Sequence, residues 1–278
     1  MLKGEKIKTL IATFISAVVA AIILVPFLWL FLNSFKYFKD IVSFNVFGGE
    51  WTLNNYFLIL FSENESLLKQ LLNSLIYVVA TLAIVLPLSV FSGYGLARAK
   101  LSTLSKGILM GSLIFARMVP AVSIALPYYV IFTLIGLYDT YLGLIIVYTI
   151  QGIPLAVFMM MTFIEDIPKE IEEAAEVDGA SLQITLSRIV FPLILPGIAA
   201  TAVFTFIYVW NDYLFVTFLA AKEAINLQVA IAGFNAEYFI RWGELSAAVI
   251  FSSVPVIIFA ILTQKWLIRG LTLGAIKG

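Results

Sequence analysis

Carboxylates are concentrated in one short segment of an otherwise apolar chain. Residues 165–178 read EDIPKEIEEAAEVD and contain seven acidic residues and a single lysine. A proline near the start, followed by helix-forming residues, predicts a short helix over about residues 167–178. On a helical wheel the apolar side chains fall on one side and the charged ones on the other; the apolar set is Ile167, Ile171, Ala174, Ala175 and Val177, and the charged set is Lys169, Glu172, Glu173 and Glu176. The pattern favours docking against a partner with a basic groove, and the alternative is a solvated linker helix at a membrane surface.

Two charged residues lie within long apolar runs. At the centre of a bilayer, Arg117 and Asp212 would each cost about 2.5–3.5 kcal/mol, so their side chains should face protein or water. Near Asp212 the sequence supplies ring faces and amide groups that suit a polyol, from Tyr208, Trp210, Asn211 and Tyr213. These six residues are the candidates for a translocation path. The structural alternatives are a bond from Arg117 to carbonyls freed by Pro120, a snorkelling acid at the outer end of a helix, and an interfacial aromatic belt.

Several kinds of chemistry are excluded by residue content. The chain has no cysteine and no histidine, which excludes disulfides, thiolate zinc sites, iron–sulfur clusters and imidazole proton relays. It contains no Gly-x-x-x-x-Gly-Lys-Ser/Thr motif, so it has no phosphate-binding loop for a nucleotide. Lys plus Arg and Asp plus Glu both number 17, so no basic excess exists for nucleic acid. We expect no catalytic site, no metal site and no cofactor in this chain.

The composition places these residues in a membrane. Hydrophobic residues make up 62% of the 278 and charged residues 12%, compared with about 45–50% and about 25% in soluble domains. Long runs with little or no charge predict an all-α membrane protein of a single domain with six transmembrane helices, at about residues 10–32, 71–96, 108–135, 141–164, 192–219 and 245–267. The third run contains Pro120 and Pro127, which predict one broken or kinked helix.

The distribution of basic residues predicts the orientation of these helices. With both termini in the cytoplasm, eleven lysines and arginines fall on the inner side and five on the outer side. This is the bias of the positive-inside rule. The acidic segment 165–178 is then cytoplasmic.

The spacing around the acidic segment resembles a known motif. Glu173-Ala174-Ala175, three residues, Gly179, nine residues and then Ile189-Val190-Phe191-Pro192 resembles the EAA loop of ABC importer permeases, with Phe191 in place of the usual leucine. In that family the loop is a coupling helix that docks into a cleft of the ATPase subunit. The resemblance therefore implies that the residues that couple to the ATPase are Glu172, Glu173, Ala174, Ala175, Asp178 and Gly179.

Further segments are similar to the maltose-type carbohydrate permeases. They include Trp51–Tyr56, Gly93–Arg98, Met118–Pro120 and Trp210–Tyr213. The terminal segment 271–278 resembles the tail that reaches between the two ATPases in the subunit of that family that has a short N-terminus. The resemblance assigns this role to Gly274, Lys277 and Gly278.

The resemblance implies a permease subunit of an ATP-driven sugar importer in a prokaryotic plasma membrane. Its implied partners are a second, non-identical permease, two ATPases that use ATP and Mg²⁺, and an extracytoplasmic sugar-binding protein. One alternative is an ABC permease for a solute other than a sugar, either a polyamine or an anion such as glycerol phosphate. The other is a secondary transporter driven by an ion gradient, which would need more acids within the membrane than Asp212 alone.

Overall fold

The computed structural model describes residues 2–43, 48–62, 66–236 and 239–274. The described chain is almost entirely helical, as predicted. Its helices are α1 (Leu2–Ser34), α2 (Phe38–Val42), α3 (Asn54–Phe61), α4 (Leu68–Arg98), α5 (Thr103–Met118), α6 (Ala121–Leu134), α7 (Tyr141–Glu165), α8 (Lys169–Val177), α9 (Leu182–Thr185), α10 (Phe191–Trp210), α11 (Leu214–Leu219), α12 (Leu227–Ala232) and α13 (Trp242–Gly274). A π-helical turn, Leu186–Val190, joins α9 to α10, and strands β1 (Asn235–Ala236) and β2 (Phe239–Ile240) form a short antiparallel ladder.

Among the described residues, five helices are long and apolar enough to cross a membrane, and the α5–α6 pair brings the number to six if it counts as one span. The long helices include Leu68–Arg98 and Tyr141–Glu165. Six spans therefore agree with the count predicted from the sequence. The side of the membrane on which each terminus lies stays a prediction from the positive-inside rule.

The third span is broken, as predicted, and the break is sharp. Helices α5 and α6 meet at an angle of 80° across Val119 and Pro120. Because proline disfavours helical geometry in the residue before it, Val119 adopts an extended backbone with ψ of 123°. Pro127 lies within α6 without ending it.

The predicted fifth span of residues 192–219 is wrong as a single helix. Helix α10 ends at Trp210, and α11 begins only at Leu214. Asn211, the C-cap, leaves the helical region with ψ of 5°. The continuous membrane segment begins earlier instead, at Leu182, and runs through the π-helical turn to Trp210.

Residues 1–68 and 230–254 form the first of two compact units. Its polar centre is Asn55, whose amide donates to the carbonyls of Ser34 at 2.9 Å and Lys36 at 3.0 Å. A side chain on Gly243 would collide with this amide, since a Cβ there would lie 2.7 Å from Asn55 Nδ2. The end of α1, the start of α3 and the start of α13 are thereby held together.

Residues 69–229 and 255–278 form the second unit, which carries the candidate sites. A buried stripe on α4 recurs at every fourth residue and faces α7; it consists of Tyr77, Thr81, Val85, Ser89, Gly93 and Ala97. The two helices approach most closely at Gly93, where a Cβ would lie 2.9 Å from both Met160 Cβ and the Met161 backbone nitrogen. At 31 residues, α4 is about 46 Å long, so its two ends lie at opposite sides of a bilayer.

The Leu68 end of α4 is attached to the segment after α11. The Asn73 amide donates to the carbonyls of Glu223 at 2.9 Å and Ile225 at 2.7 Å. The Tyr77 hydroxyl donates to the carbonyl of Ala224 at 2.7 Å. These bonds satisfy backbone carbonyls of a non-helical segment close to the membrane, where unpaired polar groups are costly.

A carboxylate organises the same segment from the other side. Asp139 has a φ of 55°, a conformation that aspartate tolerates better than most residues. Its two oxygens accept hydrogen bonds from the consecutive backbone N–H groups of residues 221–224, at 3.0–3.2 Å. Burial by itself would raise the pKa of the Asp139 carboxyl, but the four N–H groups lower the pKa below its ordinary value of 3.8. The loop between α6 and α7 is therefore fixed to residues 221–224 by an ionised carboxylate.

Replacing Asp139 by asparagine should weaken this attachment in a pH-dependent way. Asparagine keeps the backbone conformation but loses the charge and one acceptor, so we expect a loss of about 1 kcal/mol at pH 7. The pKa of Asp139 in the folded state lies below the value in the unfolded state. Its contribution to the free energy of unfolding is therefore complete above the unfolded-state pKa and is lost as the pH falls through the folded-state pKa. Thermal unfolding of wild type and Asp139→Asn in nanodiscs, at pH 7 and at roughly pH 3, measures this; a difference that persists unchanged at the lower pH would contradict the assignment.

Candidate functional site

The predicted acidic helix is present as α8, slightly shorter than predicted. It spans Lys169–Val177, compared with the predicted 167–178. Pro168 occupies the position before the first helical residue, with a ψ of 131° that is outside the helical range. Three residues connect the end of α7 to α8, so the two helices follow one another closely.

The predicted division of α8 into an apolar and a charged side is wrong in part. Ile167 and Ala175 are buried, as predicted. Ala174 is exposed, Ile171 is 41% exposed and Val177 is 88% exposed, so the five apolar residues do not form one buried stripe. The outward surface of α8 instead combines carboxylates with small apolar groups, and we call Glu173, Ala174, Glu176 and Val177 the docking face.

Glu172 is the residue that turns α8 away from the predicted orientation. It lies on the inner side, where its Oε1 accepts hydrogen bonds from Nε of Arg98 at 2.8 Å and from Nη2 at 2.5 Å. Its Oε2 accepts a bond from the hydroxyl of Tyr94 at 2.7 Å. The two charged side chains are only 14% and 12% exposed. The acid that was predicted on the charged side thus holds α8 against the Arg98 end of α4, and we call Tyr94, Arg98 and Glu172 the α4–α8 cluster.

A third hydrogen bond from Arg98 reaches the connection between α7 and α8. Its Nη2 donates to the carbonyl of Ile167 at 3.1 Å. Close by, Lys106 at the start of α5 forms an ion pair with Glu165 at the end of α7. Under these charged groups lies an apolar cluster made of Ala97, Met160, Met161, Ile164, Ile167, Val190 and Ile194. The end of the membrane region next to α8 is therefore packed and bonded in one piece.

Gly179 ends α8 in a conformation that requires glycine. Its φ is +84°, its N–H donates to the carbonyl of Glu176, and the N–H of Ala180 donates to the carbonyl of Ala175, both at 2.9 Å. These two bonds form a Schellman motif, whose left-handed position disfavours side chains. No atom lies within 4 Å of a Cβ built on Gly179, so the backbone, and not the space, limits substitution. Asp178, the C-cap, is exposed.

Arg117 lies beside Tyr208. Its guanidinium carbon is 4.8 Å from the centre of the Tyr208 ring, and Nη1 donates to the carbonyl of Gln151 at 2.9 Å. The alternative that Arg117 bonds carbonyls freed by Pro120 is wrong, because this carbonyl belongs to α7. The two residues line a small cavity of about 10 Å³, enough for one water molecule, together with Gly152, Leu155, Ala156, Met159, Thr201, Phe204 and Thr205. A single hydrogen bond leaves most of the donor capacity of the guanidinium available.

Asp212 is bound within the chain and does not pair with Arg117. It is 9% exposed, and its carboxylate accepts hydrogen bonds from the Tyr148 hydroxyl at 2.9 Å and from the backbone N–H groups of Phe215 and Val216 at 3.3 and 3.2 Å. It therefore caps the start of α11. This explains the break in the predicted fifth span, and it makes Asp212 neither a snorkelling acid nor an open polar group.

The other path candidates near Asp212 separate into buried and exposed residues. Trp210 is 2% exposed and stacks on Phe206, with 5.5 Å between ring centroids. Asn211 is exposed and bonds the carbonyl of Ile207, while Tyr213 is 50% exposed. The structure thus brings Arg117 and Tyr208 together at a cavity and does not bring the other four to it. In the terminal tail, Gly274 is the last residue of α13, and Lys277 and Gly278 lie outside the described residues.

Sequence reasoning missed the functional position of Tyr94 and Arg98. They were noted only as part of the string Gly93–Arg98, although Arg98 is the first charge after a long uncharged run. A charge at the end of such a run signals the end of a span, but it gives no partner. The partner lies 74 residues further along the chain.

Comparison with known proteins identifies the family. Residues 85–273 match the family described as the binding-protein-dependent transport system inner membrane component, over more than half of the chain. The chain belongs to this family. It is therefore a multi-pass inner-membrane component of an ABC transporter, and the EAA-like motif lies within the matched region.

Relatives cover almost the whole length of this permease. It is 34% identical over 271 residues to a probable ABC transporter permease of Sinorhizobium fredii, which covers 97% of this chain and 96% of the relative. It is 33% identical over 258 residues to the trehalose transport system permease of Mycobacterium tuberculosis, covering 92% and 93%. With the trehalose/maltose transport system permease of Thermococcus litoralis it shares 30% identity over 277 residues, covering 99% of each.

A solved structure shows the same fold. A bacterial ABC transporter involved in the import of the acidic polysaccharide alginate contains a chain that superposes with a TM-score of 0.75 at 20% identity, covering 94% of this permease and 97% of that chain.

The close approach of α4 and α7 beside the α4–α8 cluster can be tested with two glycines of one helix. Gly93→Ala places a methyl group 2.9 Å from atoms of Met160 and Met161, and such overpacking costs about 1–3 kcal/mol. Gly95→Ala meets no atom within 4 Å and should be neutral or stabilising, since alanine favours a helix over glycine by about 1 kcal/mol. Thermal unfolding of both variants in detergent measures the difference; equal midpoints would contradict the packing described.

Proposed function

We propose that this permease couples ATP hydrolysis by partner subunits to the import of a sugar. The observation that supports this best is α8. One side of it is fixed by a buried ion pair, and the other side, the docking face, is exposed and carries Val177 with 88% of its surface uncovered. A helix with an uncovered apolar and acidic surface, on the predicted cytoplasmic side, suits a groove in another protein.

The energy source is assigned to partners because the chain lacks a nucleotide phosphate loop. The proposed assembly contains this permease, a second and non-identical permease, two ATPases and an extracytoplasmic sugar-binding protein. On the permease, coupling is assigned to Glu173, Ala174, Asp178 and Gly179, with Glu172 and Ala175 acting from the inner side. The tail with Gly274, Lys277 and Gly278 is proposed to reach the ATPases.

A sugar is favoured as the substrate by the names of the relatives. Permeases of Mycobacterium tuberculosis and Thermococcus litoralis are named for trehalose and for trehalose/maltose, and another, of Bacillus subtilis, for melibiose, raffinose and stachyose. In this chain, Arg117 places hydrogen-bond donors beside the ring face of Tyr208, and both kinds of group suit a hydroxyl-rich ligand once the helices around them separate. We assign the translocation path to these two residues and a structural role to Asp212 and Trp210.

An anionic solute is the second candidate, and Arg117 is the observation that favours it. A guanidinium that makes one hydrogen bond to a carbonyl could bind a carboxylate or phosphate with its remaining donors. Arg117→Gln should then abolish transport of an anion and reduce that of a neutral sugar only modestly.

Purification in mild detergent from the native host, followed by reconstitution in proteoliposomes, tests the proposed function. An ATPase and a second permease should co-purify, and uptake of a neutral oligosaccharide should require ATP and the binding protein. Uptake that continues at the same rate without ATP would contradict the proposal. Uptake of only a phosphorylated or uronic-acid ligand would leave the ABC function and overturn the neutral sugar.

The turn at Gly179 provides a graded test of coupling. Asparagine tolerates a positive φ better than alanine, and valine tolerates it least, while a Cβ at this position meets no atom within 4 Å. We therefore expect uptake per ATP hydrolysed to fall in the order Gly179→Asn, Gly179→Ala, Gly179→Val, with the valine variant reduced by about 5–30-fold for a strain of about 1–2 kcal/mol. Equal activity of all three variants would contradict a role for this turn.

A further inference from the structure

Helix α8 is linked to its neighbours in two different ways. It is joined to α7 through residues 166–168 and to α9 and α10 through the segment after Gly179, in both cases by the chain itself. Its connection to α4 is made by side chains. The α4–α8 cluster provides this connection through the partly buried Glu172, whereas Ala174 and Val177 of the docking face are exposed.

The cluster has the geometry of a rigid joint. Glu172 accepts bonds from two nitrogens of Arg98 on one oxygen and from Tyr94 on the other, so both carboxylate oxygens are fixed. Tyr94 and Arg98 are four residues apart on α4, and they therefore approach Glu172 from neighbouring turns of the same helix. Two points of attachment on one helix restrict rotation as well as translation of α8 against α4.

Breaking the joint is unfavourable. The charged side chains of Arg98 and Glu172 are 14% and 12% exposed, and separating them would leave two largely buried charges without a partner. Displacement of α8 by a partner therefore carries the end of α4 with it in preference to pulling the ion pair apart.

The rest of α4 is able to pass such a displacement along its length. Its buried stripe packs closely on α7 at Gly93 and again at Val85, where a Cβ on Gly152 would lie 3.5 Å from the valine side chain. Further along, the Tyr77 ring lies 5.8 Å from the ring of Tyr148, which donates to Asp212. A close-packed helix moves as a unit, so the far end follows the cluster.

We propose that the α4–α8 cluster is the connection that passes movement of the coupling helix to α4, with Tyr94 and Arg98 as positioning residues. This proposal rests on the proposed function, since it assumes that an ATPase moves α8. It adds a second route to the one through the chain into α7 and α10. Arg98 and Tyr94 are thereby assigned a role in transport through the contacts that they make within the permease.

The test uses the full complex with its ATPase, second permease and binding protein in proteoliposomes. Arg98→Gln and Glu172→Gln should still co-purify with the ATPase and hydrolyse ATP, but uptake per ATP hydrolysed should fall by about 5–150-fold, the usual range of coupling between sites. Tyr94→Phe, which loses one hydrogen bond and keeps the ring, should show a smaller fall. The exchange Arg98→Glu with Glu172→Arg should recover part of the loss, which a role in packing alone would not predict.

Lys100→Gln is the matched control. Lys100 is exposed, lies two residues after Arg98 and loses the same charge in the variant, so its uptake per ATP should equal that of wild type. A wild-type ratio in Arg98→Gln and Glu172→Gln would overturn the proposal and leave the proposed function intact. If those variants fail to assemble, a wild-type ratio in Tyr94→Phe would overturn it. A wild-type complex that takes up solute without ATP would instead overturn the proposed function.

Discussion

The ion pair between Arg98 and Glu172 determines how helix α8 and its surroundings are arranged at the end of the permease that is predicted to be cytoplasmic. A carboxylate on a short helix and a guanidinium at the end of a membrane helix compensate each other where neither could stay charged and unpaired. The pair turns one side of α8 inward. The opposite side, with Glu173, Ala174 and Val177, is left for a partner, so a contact inside the permease defines the surface that it presents outside.

The two charges within the apolar runs are accommodated in contrasting ways. Asp212 is saturated by Tyr148 and by the backbone at the start of α11, which makes it part of the fold. Arg117 makes one hydrogen bond to a backbone carbonyl and lies on the ring of Tyr208 beside a cavity. A polar group with spare donors can bind a ligand when its surroundings open, whereas a saturated one cannot. This difference, and not the charge itself, separates the two residues.

Much of the fold can be predicted from the sequence. The number of spans follows from the runs of apolar residues, and the break before Pro120 follows from the restricted backbone geometry of proline and of the residue before it. The helix α8 and the turn at Gly179 also follow from local signals. The direction of Glu172 does not, because acids occupy several sides of α8 and wheel geometry cannot tell which one meets a cation 74 residues away. The end of α10 was missed for a related reason: Asp212 stops the helix by capping the next one, and the surrounding residues are as apolar as a continuous span.

The central claim is that the docking face of α8 is covered by an ATPase, and photo-crosslinking from single positions tests it most directly. A photoreactive amino acid at Val177, which is 88% exposed, should crosslink to the ATPase in the assembled complex. The same group at Ala175, which is 8% exposed on the same helix, should crosslink within the permease. Crosslinks from Val177 that reach only lipid or the permease itself, in a complex that transports with ATP, would contradict the account.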